Sequence, residues 1–231
     1  MANGNAFDHA LECAQMSPTL DVGVHLVLVQ GESIATPGRA LPETLKDLAS
    51  ALLRREIDPN IEATAQVQRI VDAGIRPSHI DTHKHTHLFP SVLSAIAKVA
   101  KEFDIPWVRR PFDYGTGPTA GMIKQAVSTG MKLMKPNFAK TLEGFHMTDY
   151  FTGFQITGTL DTKAMLETIE TLPKGLTEFM CHPGRCTSEL RAAPTRLKES
   201  REKELAALTS PDVRRAIEKR GIVLTSYRAI A

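Results

Sequence analysis

The chain has 231 residues, of which 42% are hydrophobic, enough to bury the core of one domain. Its 28 basic and 26 acidic residues leave a formal charge of +2, so the composition indicates no nucleic-acid partner. No apolar stretch approaches the roughly 18 residues of a membrane span. The three cysteines form no CxxC pair and leave one thiol over in any disulfide scheme. A cytoplasmic protein without a membrane span is therefore expected.

Short apolar runs alternate with helical patterns along the chain. The runs predict strands at 22–29, 78–81, 106–109, 176–181 and 221–226. The periodic stretches predict helices at 41–56, 61–73, 91–103, 162–172 and 200–219. This alternation favours the α/β class, with parallel strands in a sheet or barrel and surrounding helices, as a single domain over residues 1–231.

The first apolar run contains one histidine. His25 lies in the stretch DVGVHLVL, where Gly23 permits a close backbone approach. A histidine in such a run is ordinarily a core residue with its hydrogen bonds satisfied. The alternative is that this strand borders a later metal site, in which case His25 would complete a set of three protein ligands.

Four polar residues alternate at the end of the second run, in the stretch HIDTHKHTH at 79–87. If the strand continues through this stretch, Asp81, His83, His85 and His87 share one face. Neutral imidazoles and a carboxylate bind divalent metals, and the carboxyl ends of strands are where α/β proteins build sites. The alternative is a solvated, histidine-rich loop, and the position between a strand and a helix favours a metal or catalytic role.

The segment at about 111–158 breaks the alternation and predicts an inserted helical excursion. It is rich in methionine and carries five aromatic residues after position 137. Such side chains are ordinarily core, and the alternative is a lid or an acceptor groove over the site.

A second polar position comes after the apolar run at 176–180. His182 lies there in the sequence Cys-His-Pro-Gly, where a strand gives way to a turn. It is a candidate general acid or base, or else a residue that only bonds the loop.

Three of these motifs resemble those of the YdjC-like carbohydrate deacetylases. They are Gly-x-His-Leu at 23–26, the histidine run at 79–87 and Cys-His-Pro at 181–183. The likeness extends through the tail motifs REKEL at 201–205 and GIVLTSYR at 221–228. The stretch TDYFTG at 148–153 is most similar to the hopanoid-biosynthesis-associated branch.

The resemblance implies a metal-dependent amide hydrolase on a (β/α) barrel-like fold, acting on an N-acetylated sugar or a glycolipid precursor. It implies one divalent ion, magnesium or zinc, bound by His25 and His83, with His85 and His87 supporting the ligands. Asp81 would orient a histidine of its own run. His182 would protonate the leaving amine, with Arg109 near the active face.

One motif of the family has no counterpart in this sequence. Its members carry an Asn-Ala-Asp-Asp-Phe-Gly motif on the first strand, which supplies a carboxylate ligand and the base. Here the stretch NGNAFDHA at 3–10 matches the family's segment after its second strand, so the first βα unit is expected to be missing. Asp8 and Asp21 are the nearest acidic substitutes. An open strand edge would favour a homo-oligomer.

Two further functions remain open. One is a truncated, catalytically impaired member of the same family that binds metal or sugar. The other, more distant, is a metal-dependent phosphoesterase, which would need a second histidine and carboxylate set for two metals.

Overall fold

The computed structural model describes residues 1–115, 122–193 and 195–230, and the chain divides into two compact units. Unit 1 comprises Met1–Arg109, Met134–Met147 and Thr225–Ala231. Unit 2 comprises Arg110–Leu133 and Thr148–Leu224. The prediction of a single domain with a helical insertion stays a prediction, because two compact units can belong to one domain.

The elements mix helices with short strands. The strands are β1 (Val24–Leu26), β2 (His79–Thr82), β3 (Trp107–Val108), β4 (Tyr150–Thr152) and β5 (Thr177–Phe179). The helices are α1 (Phe7–Met16), α2 (Leu45–Leu53), α3 (Pro59–Asp72), α4 (Pro90–Glu102), α5 (Met122–Lys132), α6 (Lys135–Thr141), α7 (Thr162–Thr171), α8 (Ser188–Ala192), α9 (Ser200–Leu208) and α10 (Pro211–Lys219). Short 3₁₀ helices cover His83–Leu88 and Arg228–Ile230. In the described part of the chain, no helix combines the length and apolarity needed to cross a membrane.

Unit 1 is built on a three-stranded parallel sheet in the order β1-β2-β3. The register places His25 opposite Asp81 and Leu26 opposite Thr82. Parallel strands need long connections, and α3 and α4 supply them. Helix α3 begins where Asp58 caps it ahead of a proline at the first helical position, and α4 also begins at a proline. The sheet therefore brings the ends of separate sequence motifs together.

Unit 2 contains the parallel pair β4-β5 and the helices α7, α9 and α10. Its apolar core joins side chains of all three helices and of the loop before α7. The buried members are Ile156, Leu160, Ala164, Met165, Ile169, Ala207 and Val213. This core anchors α9 beside the strand that leads to His182.

Two expectations about the elements are wrong. The helix predicted at 200–219 is two helices, because Pro211 cannot continue the hydrogen bonding of α9 and Ser210 caps α10 instead. The strand predicted at 221–226 does not form among the described residues, and its Val223 and Leu224 are exposed. The described part of the segment at 111–158 contains α5 and α6, and it also contains β4.

Candidate active site

The Asp81 carboxylate lies between two basic side chains at the carboxyl ends of β1, β2 and β3. One oxygen, Oδ1, is 2.7 Å from His25 Nδ1. The other, Oδ2, forms an ion pair with Arg109, which directly follows β3. The Asp81 side chain is only 6% exposed, and a buried carboxylate is tolerated where such partners compensate its charge. The family resemblance implied a partner within Asp81's own run, whereas the structure gives it His25 of the neighbouring strand.

This contact fixes the tautomer of His25. An ionised carboxylate can only accept hydrogen bonds, so Nδ1 of His25 carries the proton and Nε2 keeps its lone pair. Burial, and then the positive charge of Arg109, lowers the pKa of His25 to about 3. The imidazole is therefore neutral at pH 7, the form that binds metals.

His83 lies beside His25. The two rings meet edge to face with centroids 5.7 Å apart, and His83 is the first residue after β2. A histidine that donates one ring nitrogen to a carboxylate and presents the other is the usual arrangement of a metal-binding imidazole. The donor chemistry of the pair thus fits a metal, although the described residues contain no group of three His, Cys, Asp or Glu side chains that could hold one.

The prediction that Asp81, His83, His85 and His87 share one strand face is wrong. Strand β2 ends at Thr82, and the chain then forms a 3₁₀ helix in which Lys84 and His85 have positive φ angles of 54° and 52°. This backbone conformation costs non-glycine residues on the order of 1 kcal/mol each, and such strain concentrates at functional sites. The turn carries His85 and His87 away from the strand's periodicity.

His87 lies in the core of unit 1, with no exposed surface. The Thr82 hydroxyl is 2.5 Å from His87 Nδ1 and accepts the main-chain N–H of His87 at 3.1 Å. The ring packs against Phe138 with centroids 5.6 Å apart. Burial, followed by the nearby His85 and His25, lowers the pKa of His87 well below its ordinary value. The buried His87 ring thus supports the turn. Thr82 holds His87 through these two contacts, a role that the sequence did not indicate.

Gly23 makes room for the first residue of the histidine run. A Cβ at this position would come within 2.4 Å of the His79 ring, which itself stacks on Tyr227 at a centroid distance of 4.3 Å. The close approach predicted at Gly23 is therefore that of the His79 side chain to the Gly23 backbone.

The acidic residues near the start of the chain lie elsewhere. Asp21 accepts the main-chain N–H of Arg228 at 2.8 Å and pairs with its guanidinium. Asp8 is exposed in the first turn of α1. The structure does not bring either carboxylate into a group with the histidine pair among the described residues.

His182 belongs to unit 2 and follows β5 on a loop. Its main-chain N–H donates to Glu204, and its Nδ1 lies 4.0 Å from Glu204 Oε2. Glu204 is only 1% exposed. This buried carboxylate was not among the predicted site residues, although it lies in the tail motif at 201–205 and could have been noticed there.

The fold and the paired histidines define an α/β protein whose polar residues gather at the carboxyl ends of parallel strands. The chain belongs to the YdjC-like protein family, whose model matches residues 1–219. The α/β class and the family resemblance are thus confirmed.

Two similar curated proteins carry names that describe an activity. The carbohydrate deacetylase of Brevibacillus brevis is 29% identical over 234 residues, covering 98% of this chain and 85% of that protein. The chitooligosaccharide deacetylase of Escherichia fergusonii is 31% identical over 235 residues, covering 98% of this chain and 84% of that protein.

A solved structure shares the fold. It is a protein from Enterococcus faecalis V583 provisionally described as a cellobiose-phosphate cleavage protein, with a TM-score of 0.74 and 22% identity. The match covers 100% of this chain and 86% of that one.

Proposed function

We propose that this chain is a carbohydrate N-deacetylase that hydrolyses the acetamide of an N-acetylated sugar and uses a divalent metal ion. Family membership and the names of its relatives support the reaction class. The observation that carries the proposal is the Asp81 carboxylate, which holds His25 in the tautomer that a metal-binding histidine needs.

The ion would be held by His25 and His83. When bound, it would polarise the acetyl carbonyl and make its water ligand more acidic. Zinc suits imidazole nitrogen better than magnesium does. The described residues contain no third side chain in position to bind it, so the remaining coordination is not assigned to a residue.

The chain's own residues hold the site in position. Asp81 keeps the proton of His25 on Nδ1, and Arg109 neutralises the buried carboxylate. His182 is proposed as the acid that gives a proton to the leaving amine nitrogen, a role for which imidazole is suited near neutral pH. His85 and His87 are proposed as supports of the turn rather than ligands, because both are buried.

The lack of a third ligand among the described residues favours one second candidate, a member that binds metal or sugar with impaired catalysis. The phosphoesterase gains no support, because no second metal-binding group is found among those residues. A sugar-lipid substrate and a cytoplasmic location stay predictions.

Acetate release and metal content, measured on the same samples, test the proposal. The substrates are diacetylchitobiose and a glycosylated hopanoid precursor, and the variants are His83→Ala and, as a control, the exposed His9→Ala. We expect release in the wild type and in His9→Ala, and loss of both release and metal in His83→Ala. Bound metal without release would support the impaired member, and equal metal content in all three proteins would refute the ligand assignment.

A further inference from the structure

Helix α9 holds the loop that carries His182 through a buried carboxylate. Glu204 accepts the main-chain N–H of His182 and is only 1% exposed. Its Oε1 atom has no hydrogen-bond partner among the described residues. Burying a carboxylate is costly unless a positive or hydrogen-bonding partner offsets it, so a side chain this enclosed indicates a specific role.

The rest of the loop is fixed to the same turn of α9. The Gly184 N–H donates to the Arg201 carbonyl oxygen at 3.2 Å. The Cys186 N–H donates to Glu202 Oε1 at 3.0 Å. Every second main-chain N–H from position 182 to 186 is thus bonded to α9, which limits the positions that the His182 backbone can take.

Glu204 lies near the His182 imidazole, whereas Glu202 contacts a later part of the loop. The His182 Nδ1 atom lies 4.0 Å from Glu204 Oε2, which is within ion-pair distance and longer than a direct hydrogen bond. Glu202 is exposed and contacts the loop at Cys186. The two carboxylates share a helix and a backbone contact, but Glu204 also lies beside an imidazole.

We propose that Glu204 is a positioning residue for His182. Its carboxylate accepts a hydrogen bond from the Nδ1–H of the imidazole and stabilises the imidazolium, so that the Nε2–H serves as the acid. This rests on the proposed function, in which His182 is that acid. As the carbon–nitrogen bond of the acetamide intermediate breaks, the amine nitrogen keeps the electron pair and takes the proton from Nε2. The imidazole becomes neutral with its remaining proton on Nδ1, facing Glu204.

The test measures kcat and KM for acetate release from diacetylchitobiose across pH, on the full chain. Glu204→Gln keeps an acceptor for the His182 N–H but removes the charge. We expect kcat to fall about tenfold with little change in KM, and the alkaline limb of the pH profile to move about one pH unit lower. Glu204→Asp should return the alkaline limb toward its wild-type pH. Glu202→Gln should change neither kcat nor the position of this limb.

A second measurement does not depend on activity. The ring nitrogens of His182, observed by nitrogen-15 NMR, report the tautomer directly. We expect the Nδ1–H form in the wild type and in Glu202→Gln, and a mixture of tautomers in Glu204→Gln. Thermal denaturation of each variant shows whether it is folded. If Glu204→Gln does not fold, the same measurements are made on Glu204→Asp.

The outcomes separate the two ideas. If His182→Asn loses activity while Glu204→Gln matches Glu202→Gln in rate and tautomer, the positioning role is wrong and the acid assignment stands. If His182→Asn keeps full activity, both the acid assignment and the positioning role are wrong. If no protein releases acetate, the proposed function fails, and an unchanged tautomer in Glu204→Gln would then overturn the positioning role independently.

Discussion

The two halves of the histidine run use the same kind of residue for different purposes. Asp81 and His83 lie at the end of β2, beside His25 and Arg109, and Asp81 bonds His25 and forms an ion pair with Arg109. His85 and His87 lie beyond the strand, buried in a turn. The difference shows that alternation places side chains on one face only as long as the strand continues, and this strand ends at Thr82.

Replacing Asp81 with asparagine should have the largest effect on activity. The substitution leaves Arg109 without its buried charge partner and frees His25 from one tautomer. We expect metal affinity and activity to fall about 10- to 100-fold. Metal titration and acetate release measure the two quantities. If Asp81→Asn bound metal as tightly as the wild type, Asp81 would not contribute to metal binding, and the functional distinction between the two halves of the run would be wrong.

Replacing His87 with alanine should instead affect stability. Removing a fully buried ring that packs on Phe138 leaves a cavity, and we expect a loss of about 2 to 4 kcal/mol in the free energy of unfolding. Urea denaturation measures it. Activity per folded molecule should stay within about threefold of wild type, since a packing residue contributes little to the chemical step. A large loss of activity at full stability would place His87 in the site.

The first residue of the run, His79, should make stability depend on pH. Burial, and then the charge of Arg109, lowers the pKa of His79 from 6.5 to about 4. The unfolded chain therefore takes up a proton before the folded one does, so this contribution is complete above pH 6.5 and is lost as the pH falls toward about 4.

Thermal denaturation of the metal-free protein across this range measures the effect. His79→Phe keeps a ring to stack on Tyr227 and removes the titrating group, so it should flatten the decline. The exposed His9→Phe is the matched control and should leave the decline unchanged. An unaltered decline in His79→Phe would assign the proton uptake to another group.

The smallest effect is expected at Thr82. Its hydroxyl bonds both the ring and the main chain of His87, and Thr82→Val keeps the shape while removing those bonds. We expect a loss of about 1 to 2 kcal/mol in the free energy of unfolding, measured by urea denaturation. A neutral result would show that packing alone holds the turn.

Much of the fold could be predicted from local patterns. Apolar periodicity placed α3, α4 and α7 within two residues of their observed ends, because each has a buried face and two of the three have a side-chain cap. The break at Pro211 was missed because the apolar pattern continues across it. The strand at 150–152 was missed because three residues are too few to show a period.

For the site, the sequence by itself determined which residue types and motifs are present: His25 in an apolar strand, Asp81 and His83 at the end of another, and His182 before a Pro-Gly turn. Tertiary structure alone decided the pairings. The register of β1 on β2 set His25 against Asp81, the end of β3 brought Arg109 to the same carboxylate, and α9 placed Glu204 beside His182. These contacts join residues 22 to 56 positions apart, and no local pattern encodes a contact at that separation.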